Sequence, residues 1–231
     1  MMIKRDNMED EYENEDENVY ENEKLRLKIE PDEYPIDPRE WDNLGIMVVF
    51  HKRYKLGDET DLTPDQFHSW DELEDYLIKH EKAKVILPLY LLDHGGLAMR
   101  TEPFFEDPGG WDSGQVGFIY TTDKKIKEFY GDKKPSEKEI EEALEDEVKT
   151  YNDYLHGNVY RLTLEKKEIC NLGHLHTEVI DSVGGIYSSS HRSTPDKEEI
   201  LYFLNSAPVE KDLEPYLEDL KKKVEAEKIR A

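Results

Sequence analysis

The chain reads as an α+β protein: a largely antiparallel sheet with packed helices. Three features predict this. Short stretches of alternating apolar and polar residues come in groups, helix-forming stretches with capping signals are inserted between the groups, and Gly- or Pro-marked turns separate neighbours. Strands and helices do not alternate strictly, as a parallel sheet would require.

Residues 1–24 are mostly Glu, Asp and Asn punctuated by Tyr12 and Tyr20, a composition with little to bury, so they are expected to form a disordered acidic N-terminal tail. A folded α+β domain is expected over 25–207, followed by a C-terminal helix within 208–231. The domain begins where Leu25, Leu27 and Ile29 alternate with Arg26 and Lys28. IMVVFHKRY (46–54) reads as a strand closed by a turn at Gly57 and Asp58. In SWDELEDYLIKHEKA, Ser69 and Glu72 form a capping-box pattern ahead of the apolar face Leu73, Tyr76, Leu77.

AKVILPLYLLD (83–93) is continuously apolar and reads as a central strand, with Pro88 implying a bulge or a place without a ladder partner. GLAMRTEPF and SGQVGFIYTT supply two more strands, and a short helix starts after Thr122. SEKEIEEALEDEVKTYNDYLHGN is the strongest helix, capped by Ser136 with Glu139 and ended near Gly157. Its apolar face is Ile140, Leu144, Val148, Tyr151 and Leu155. NVYRLTLEKKE returns to alternation as a strand, 169–193 is mixed, and PDKEEILYFLNSA and LEPYLEDLKKKVEAEKI read as terminal helices.

The charge excludes some functions. Lys and Arg number 31 against 55 Asp and Glu, a formal net charge of −24, so direct binding to nucleic acid or to an anionic membrane is not expected. A basic or DNA-binding protein is the natural partner, and a DNA-mimic-like acidic surface is one form this could take. Cys170 is the only cysteine, which rules out an internal disulfide and fits a reducing cytoplasm. There is no apolar run of about 18 residues and no apolar signal core.

Several polar residues fall at strand ends. Alternation along 46–54 places His51 and Arg53 on the face of Met47 and Val49. Along 113–120 it places Ser113, Gln115, Gly117 and Ile119 together, opposite Gly114, Val116, Phe118 and Tyr120. If these strands pair, His51, Arg53, Ser113 and Gln115 converge, and Asp93, His94 and Asp112 lie at the adjoining strand ends. The group has the makings of a small hydrolase or phosphoesterase. Arg53 would hold an anion, His94 or His51 would carry a proton, Asp112 would orient the imidazole or bind a metal, and Ser113 would be the nucleophile. Trp111 is expected to anchor the turn and, with Arg53 and Gln115, to contact a ligand. The competing reading is structural: Asp93, His94, Asp112 and Gln115 satisfy backbone donors at strand ends. His174 and His176, two apart, with His191 as a third ligand, make a weaker metal candidate against the simpler reading of a solvated strand face. No P-loop or G-x-G-x-x-G occurs, and no motif indicates a cofactor.

Four stretches carry a resemblance: WDNLGIMVVFHKRYKLGD, LPLYLLDHGGLAMRT, WDSGQVGFIYTTDKKIKEFYG and EVKTYNDYLHGNVYRL. Across residues 40–163 the chain resembles a widespread set of bacteriophage and mobile-element proteins sharing WDNLG, LPLYLxDHxG and WDSGQVGFIY motifs. In that set a shorter link with a Ser- or Cys-bearing turn joins the last two motifs; here TEPFFEDPGG takes its place. The resemblance implies a phage-associated accessory protein of the host cytoplasm that works by binding host factors, as an anti-defence or host-takeover factor.

Overall fold

The computed structural model describes residues 19–188 and 195–226. The expected acidic tail lies outside the described residues up to residue 18. Val19–Glu21 is a strand, β1, so regular structure is present ahead of the expected boundary at Leu25. The remaining strands are β2 (Leu25–Pro31), β3 (Ile46–Val49), β4 (Ala83–Asp93), β5 (Leu97–Arg100), β6 (Ser113–Thr122), β7 (Val159–Ile169) and β8 (Leu175–Tyr187). The helices are α1 (Trp70–Lys79), α2 (Asp123–Tyr130), α3 (Glu137–His156), α4 (Lys197–Ser206) and α5 (Glu214–Ala226).

The α+β class holds, but the strands form two sheets, ordered β1-β2-β7-β8 and β3-β6-β4-β5. The described residues also gather into two compact units instead of one body over 25–207 followed by a separate helix.

One unit comprises residues 19–30, 162–183 and 197–226. Here β1 pairs antiparallel with β2, and the Lys167 amide donates to the Lys24 carbonyl where β7 meets β2. Leu25, Leu27, Ile29, Leu162 and Leu164 are buried, as are Phe203 and Leu204 of α4 and Leu217, Leu220 and Val224 of α5. The C-terminal helices therefore belong to this unit's core. Asn22 fastens α5 to β1 by donating to the Tyr216 carbonyl and the Asp219 carboxylate. The 13-residue strand β8 was not legible in the sequence: its polar, glycine-containing stretch carries no sustained alternation, and most of its side chains are open to solvent.

The other unit comprises 31–161 with 184–188 and 195–196. Its antiparallel sheet is covered on both faces. Met47, Leu89, Leu91 and Ile119 pack with Ile140, Leu144, Val148 and Tyr151 of α3. Val48, Phe118 and Tyr120 pack with Leu73 and Leu77 of α1. Burial on both sides explains why β4 and β6 read as apolar runs. At Gly117 a side chain is excluded outright, because a Cβ there would lie 1.8 Å from the Val48 carbonyl oxygen.

The helix caps form as their sequences require. Ser136 Oγ accepts from the Glu139 amide while the Glu139 carboxylate accepts from the Ser136 amide, and Gly157 closes α3 at φ 73°. At α1, Ser69 Oγ accepts from the Glu72 amide, but the Glu72 carboxylate takes the His68 amide instead of the reciprocal one.

Two strands deviate from simple alternation. Pro88 lies beyond the β5 ladder, which begins at Tyr90, so its missing N–H costs no bond on that side. Just past it, Leu89 pairs with Gly117 but Tyr90 pairs with Gln115, leaving Val116 as a bulged residue. Val116 therefore joins Ile119 on the α3 face instead of sharing a face with Phe118 and Tyr120.

A buried polar node ties this unit together. Arg39, whose side chain is only 4% exposed, gives a bidentate pair to Asp58 (3.0 and 2.9 Å), one bond to Glu147 of α3 (3.1 Å) and one to the Gly45 carbonyl (2.8 Å). Glu147 in turn accepts from the amides of Leu44 and Gly45, and Asp58 accepts from that of Met47. Burial works against the guanidinium charge, but Asp58 and Glu147 outweigh it and hold its pKa above the ordinary value. Arg39→Met leaves two carboxylates facing each other without their cation. It is expected to cost about 3–5 kcal/mol, read as a lower urea midpoint with unchanged slope.

Candidate functional site

The polar residues singled out from sequence do gather. His51, Arg53, Asp93, Trp111, Asp112 and Ser113 line one pocket of about 230 Å³, floored by Leu91, Gly114 and Val116. The backbone places them in three ways. Strand β3 ends at Val49, with only the Phe50 amide still bonded to the Val116 carbonyl at 2.7 Å. His51 and Arg53 are thus loop residues and not members of a strand face, as alternation suggested. Asp93 ends β4, with its amide donating to the Asp112 carbonyl at 2.8 Å. Asp112 and Ser113 sit where the chain enters β6.

The polar groups pair, Arg53 and Asp93 within the pocket and His94, which does not line it, from beside it. Arg53 forms an ion pair with Asp93. His94 Nδ1 lies 2.9 Å from Asp112 Oδ2, with both side chains largely open to solvent. His51 stacks on Tyr54 with ring centroids 5.1 Å apart, and its Nδ1 accepts weakly from the amides of Arg53 and Tyr54. The Arg53 guanidinium lies 5.5 Å from the centre of the same tyrosine ring.

Two of the expected roles do not survive. Gln115 is not in the pocket. Gln115 opposes Tyr90 and its side-chain amide donates to the Gly117 carbonyl at 3.4 Å; the bulge at Val116 puts both Ser113 and Gln115 out of phase with Gly117 and Ile119. Trp111 does not anchor the turn by burial: its ring lies against Gly109 but is 90% exposed.

Asp107 is the residue sequence reading missed. Its Oδ2 accepts from the amides of Asp112 and Ser113 and from the Ser113 hydroxyl, each at 2.9 Å. The Asp112 amide contributes most to holding this carboxyl below the usual aspartate range. Ser113 Oγ is therefore a donor to Asp107 and not a proton donor to either histidine. Asp107-Pro108-Gly109 in the TEPFFEDPGG link was the available signal, since an aspartate ahead of a turn satisfies amides that follow it. Arg100 braces the same link, with its guanidinium 3.8 Å from the centre of the Phe104 ring and bonds to Glu106 and the Pro103 carbonyl.

A second, much larger groove of about 1690 Å³ lies between the 50–69 loop and α1. An aromatic group lies along it: Phe50 stacks with both Phe67 and Trp70 at 6.3 Å, and Tyr120 forms part of the wall. Burial, aided by Glu81 and Asp58, pushes the Tyr120 phenol up to about 12, so it stays a neutral donor at physiological pH.

The metal candidates stay apart from any such site. His174 and His176 are exposed on the β7–β8 hairpin, and His191 lies outside the described residues. Among the described residues no group of three or more His, Cys, Asp or Glu is placed to hold a metal ion. No helix among them is long and apolar enough to cross a membrane.

Acidic side chains are dense on the outer side of α3. Glu137, Glu141 and Glu145 follow one another at four-residue spacing, with Glu142 and Asp146 alongside and neighbours about 5–6 Å apart. Lys138, paired to Glu142 at 3.2 Å, and Lys149 bound this stripe, so it is shorter than a continuous phosphate ladder.

Because its folded pKa is depressed, Asp107 supports the turn at neutral pH and down through the ordinary aspartate range; the support is lost only as pH falls through the lowered value. Hydrogen exchange should find the Asp112 and Ser113 amides protected at pH 5 to 7, with protection falling only below about pH 3.8, the usual aspartate value. Asp107→Ala should abolish that protection at every pH and leave the core amides of Leu89 and Ile119 unchanged.

No protein-family model, curated protein or solved structure matches the chain.

Proposed function

We propose that this protein acts by binding a basic macromolecular partner, a DNA-binding protein of the host being the class that fits its charge, and that it is a phage-associated accessory factor working in the host cytoplasm against defence or in host takeover. The observation that carries the reading is the net charge of −24, concentrated in part as the outward carboxylate stripe of α3. Such a field steers cationic partners and repels nucleic acid and anionic lipid. The phage context comes from the motif resemblance across 40–163. The pairing of Arg53 with Asp93 and the donation from Ser113 to Asp107 favour binding over catalysis, since the groups that would hold an anion or attack a substrate are engaged within the chain.

A second reading, a small hydrolase or phosphoesterase, is favoured by one observation: His94 and Asp112 form an imidazole–carboxylate pair at 2.9 Å beside a pocket that also holds Arg53. In that reading His94 carries the proton and Asp112 orients it.

The tagged protein, recovered from host cells at low salt, should retain a basic partner that is released at about 0.5 M salt, where screening acts within a few ångströms. Replacing Glu137, Glu141 and Glu145 together by Lys should reduce that capture on the order of tenfold, while His94→Ala leaves it unchanged. Turnover of a phosphoester or ester substrate that His94→Ala abolishes and the α3 variant does not would overturn the binding reading in favour of the enzyme.

A further inference from the structure

Strand β8 is the outermost strand of its sheet, and among the described residues no strand pairs with its other side. At 13 residues it is far longer than the short edges that proteins usually leave open. From Leu175 to Val179 every residue is exposed, including Leu175 at 46% and Val179 at 58%, with Ile169 and Leu172 of the same hairpin at 74% and 82%.

The direction of the backbone groups follows from the hairpin. The Cys170 amide donates to the His174 carbonyl at 2.9 Å, so the main-chain groups of His174, and by alternation those of His176 and Glu178, turn towards β7. Those of Leu175, Thr177 and Val179 then face the open edge. Across the hairpin Glu168 lies near His176 and Lys166 near Glu178, as this register requires.

The sequence of the edge, Leu175-His176-Thr177-Glu178-Val179, is chemically self-complementary about Thr177. We infer that β8 pairs antiparallel with β8 of a second copy of this chain, with the two-fold axis at Thr177, joining two four-stranded sheets into one continuous sheet. In this register Thr177 meets Thr177 as a hydrogen-bonded pair, and Leu175 meets Val179. His176 meets Glu178 in the closer, non-hydrogen-bonded positions, where side chains interact most. One face then carries a polar row of alternating hydrogen-bond acceptors and donors, Glu168, His176, then Glu178 and Lys166 of the second copy. The other carries the apolar row Ile169, Leu175 and Val179. A shift of the axis by half a residue would set the backbone groups out of phase, and a shift by one would keep them in phase but set Glu178 against Glu178, or His176 against His176, and separate Leu175 from Val179. The occupant is identified by this symmetry: the complement of the edge is the edge itself. Two chains of charge −24 repel, so association should strengthen as salt screens the long-range field.

The test is sedimentation of the full chain from about 1 to about 200 µM in about 0.3 M salt, a range that covers micromolar to weak affinities. The dimer is expected. Thr177→Pro removes an N–H that faces the open edge and no bond to β7, so it should leave the monomer folded by circular dichroism and abolish the dimer. His176→Glu sets two carboxylates opposite each other and Glu178→Lys replaces the acceptor facing His176 by an ammonium, and each alone should weaken self-association by roughly tenfold. Mixed in equal amounts, these two variants should recover a heterodimer, because the carboxylate of H176E in one chain then meets the ammonium of E178K in the other, while the remaining pair stays native. A monomer at every concentration overturns the proposal. So does a dimer that Thr177→Pro leaves intact, or a mixture that associates no better than its components.

Discussion

The buried Arg39 guanidinium is the interaction on which the larger unit depends. It is the meeting point of segments that local preference cannot bring together: the 3-10 turn Pro38–Glu40, the Leu44–Gly45 approach to β3, the turn at Gly57 and Asp58, and α3. Glu147 and Asp58 each spend one carboxylate both on Arg39 and on the amides of Leu44, Gly45 and Met47. Buried charge is tolerated only when every member of such a group is satisfied, and the backbone amides complete the set. The result fixes the start of β3 against α3. Tyr151 adds to the clamp, its hydroxyl accepting from the Gly57 amide at 3.0 Å where the chain adopts a φ of 71°.

From that anchored strand the geometry of the polar pocket follows. Strand β3 pairs with β6 in a register that passes Gly117 under the Val48 carbonyl, and β6 pairs with β4 through the bulge at Val116. Bulges bend a strand and re-aim the side chains beyond them. Here the bulge puts Ser113 and Gln115 out of phase with Gly117 and Ile119, and Ser113, the first residue of the strand, reaches Asp107. The 101–112 link then closes the site from the other side, stiffened by Arg100 over Phe104 and by the three bonds to Asp107. The pocket is thus built from strand ends held rigidly and from one loop that makes its own turn contacts. Its charged residues come in matched pairs, Arg53 with Asp93 and Asp112 with His94.

Much of this was legible beforehand because it rests on local chemistry. Capping residues mark α1 and α3 since a side-chain oxygen next to unpaired amides stabilises a helix start wherever the helix packs. Strands β4 and β6 stand out as apolar runs because both faces of their sheet are covered. The gathering of His51, Arg53, Asp93, Asp112 and Ser113 was accessible because β3, β4 and β6 are neighbours and polar residues collect at their ends. Three things were not accessible: the length of β8, which lacks an apolar face; the role of Asp107, which depends on a turn folding back by five and six residues; and the burial of Arg39, whose partners lie 19 and 108 positions away.

Residue order alone settles the α+β class, the helix boundaries set by Ser69, Thr122, Ser136 and Gly157, the acidic character of the chain, and the set of polar residues at strand ends. Each of these rests on contacts a few residues long or on composition. Long-range pairing settles the rest: the strands divide into two sheets, the C-terminal helices join β1 and β2 in one core, a bulge at Val116 puts Ser113 and Gln115 out of phase with Ile119, and among the described residues an unpaired edge is left along β8. These features depend on which distant segments exchange backbone hydrogen bonds, and a residue slipped in register reverses every side chain after it.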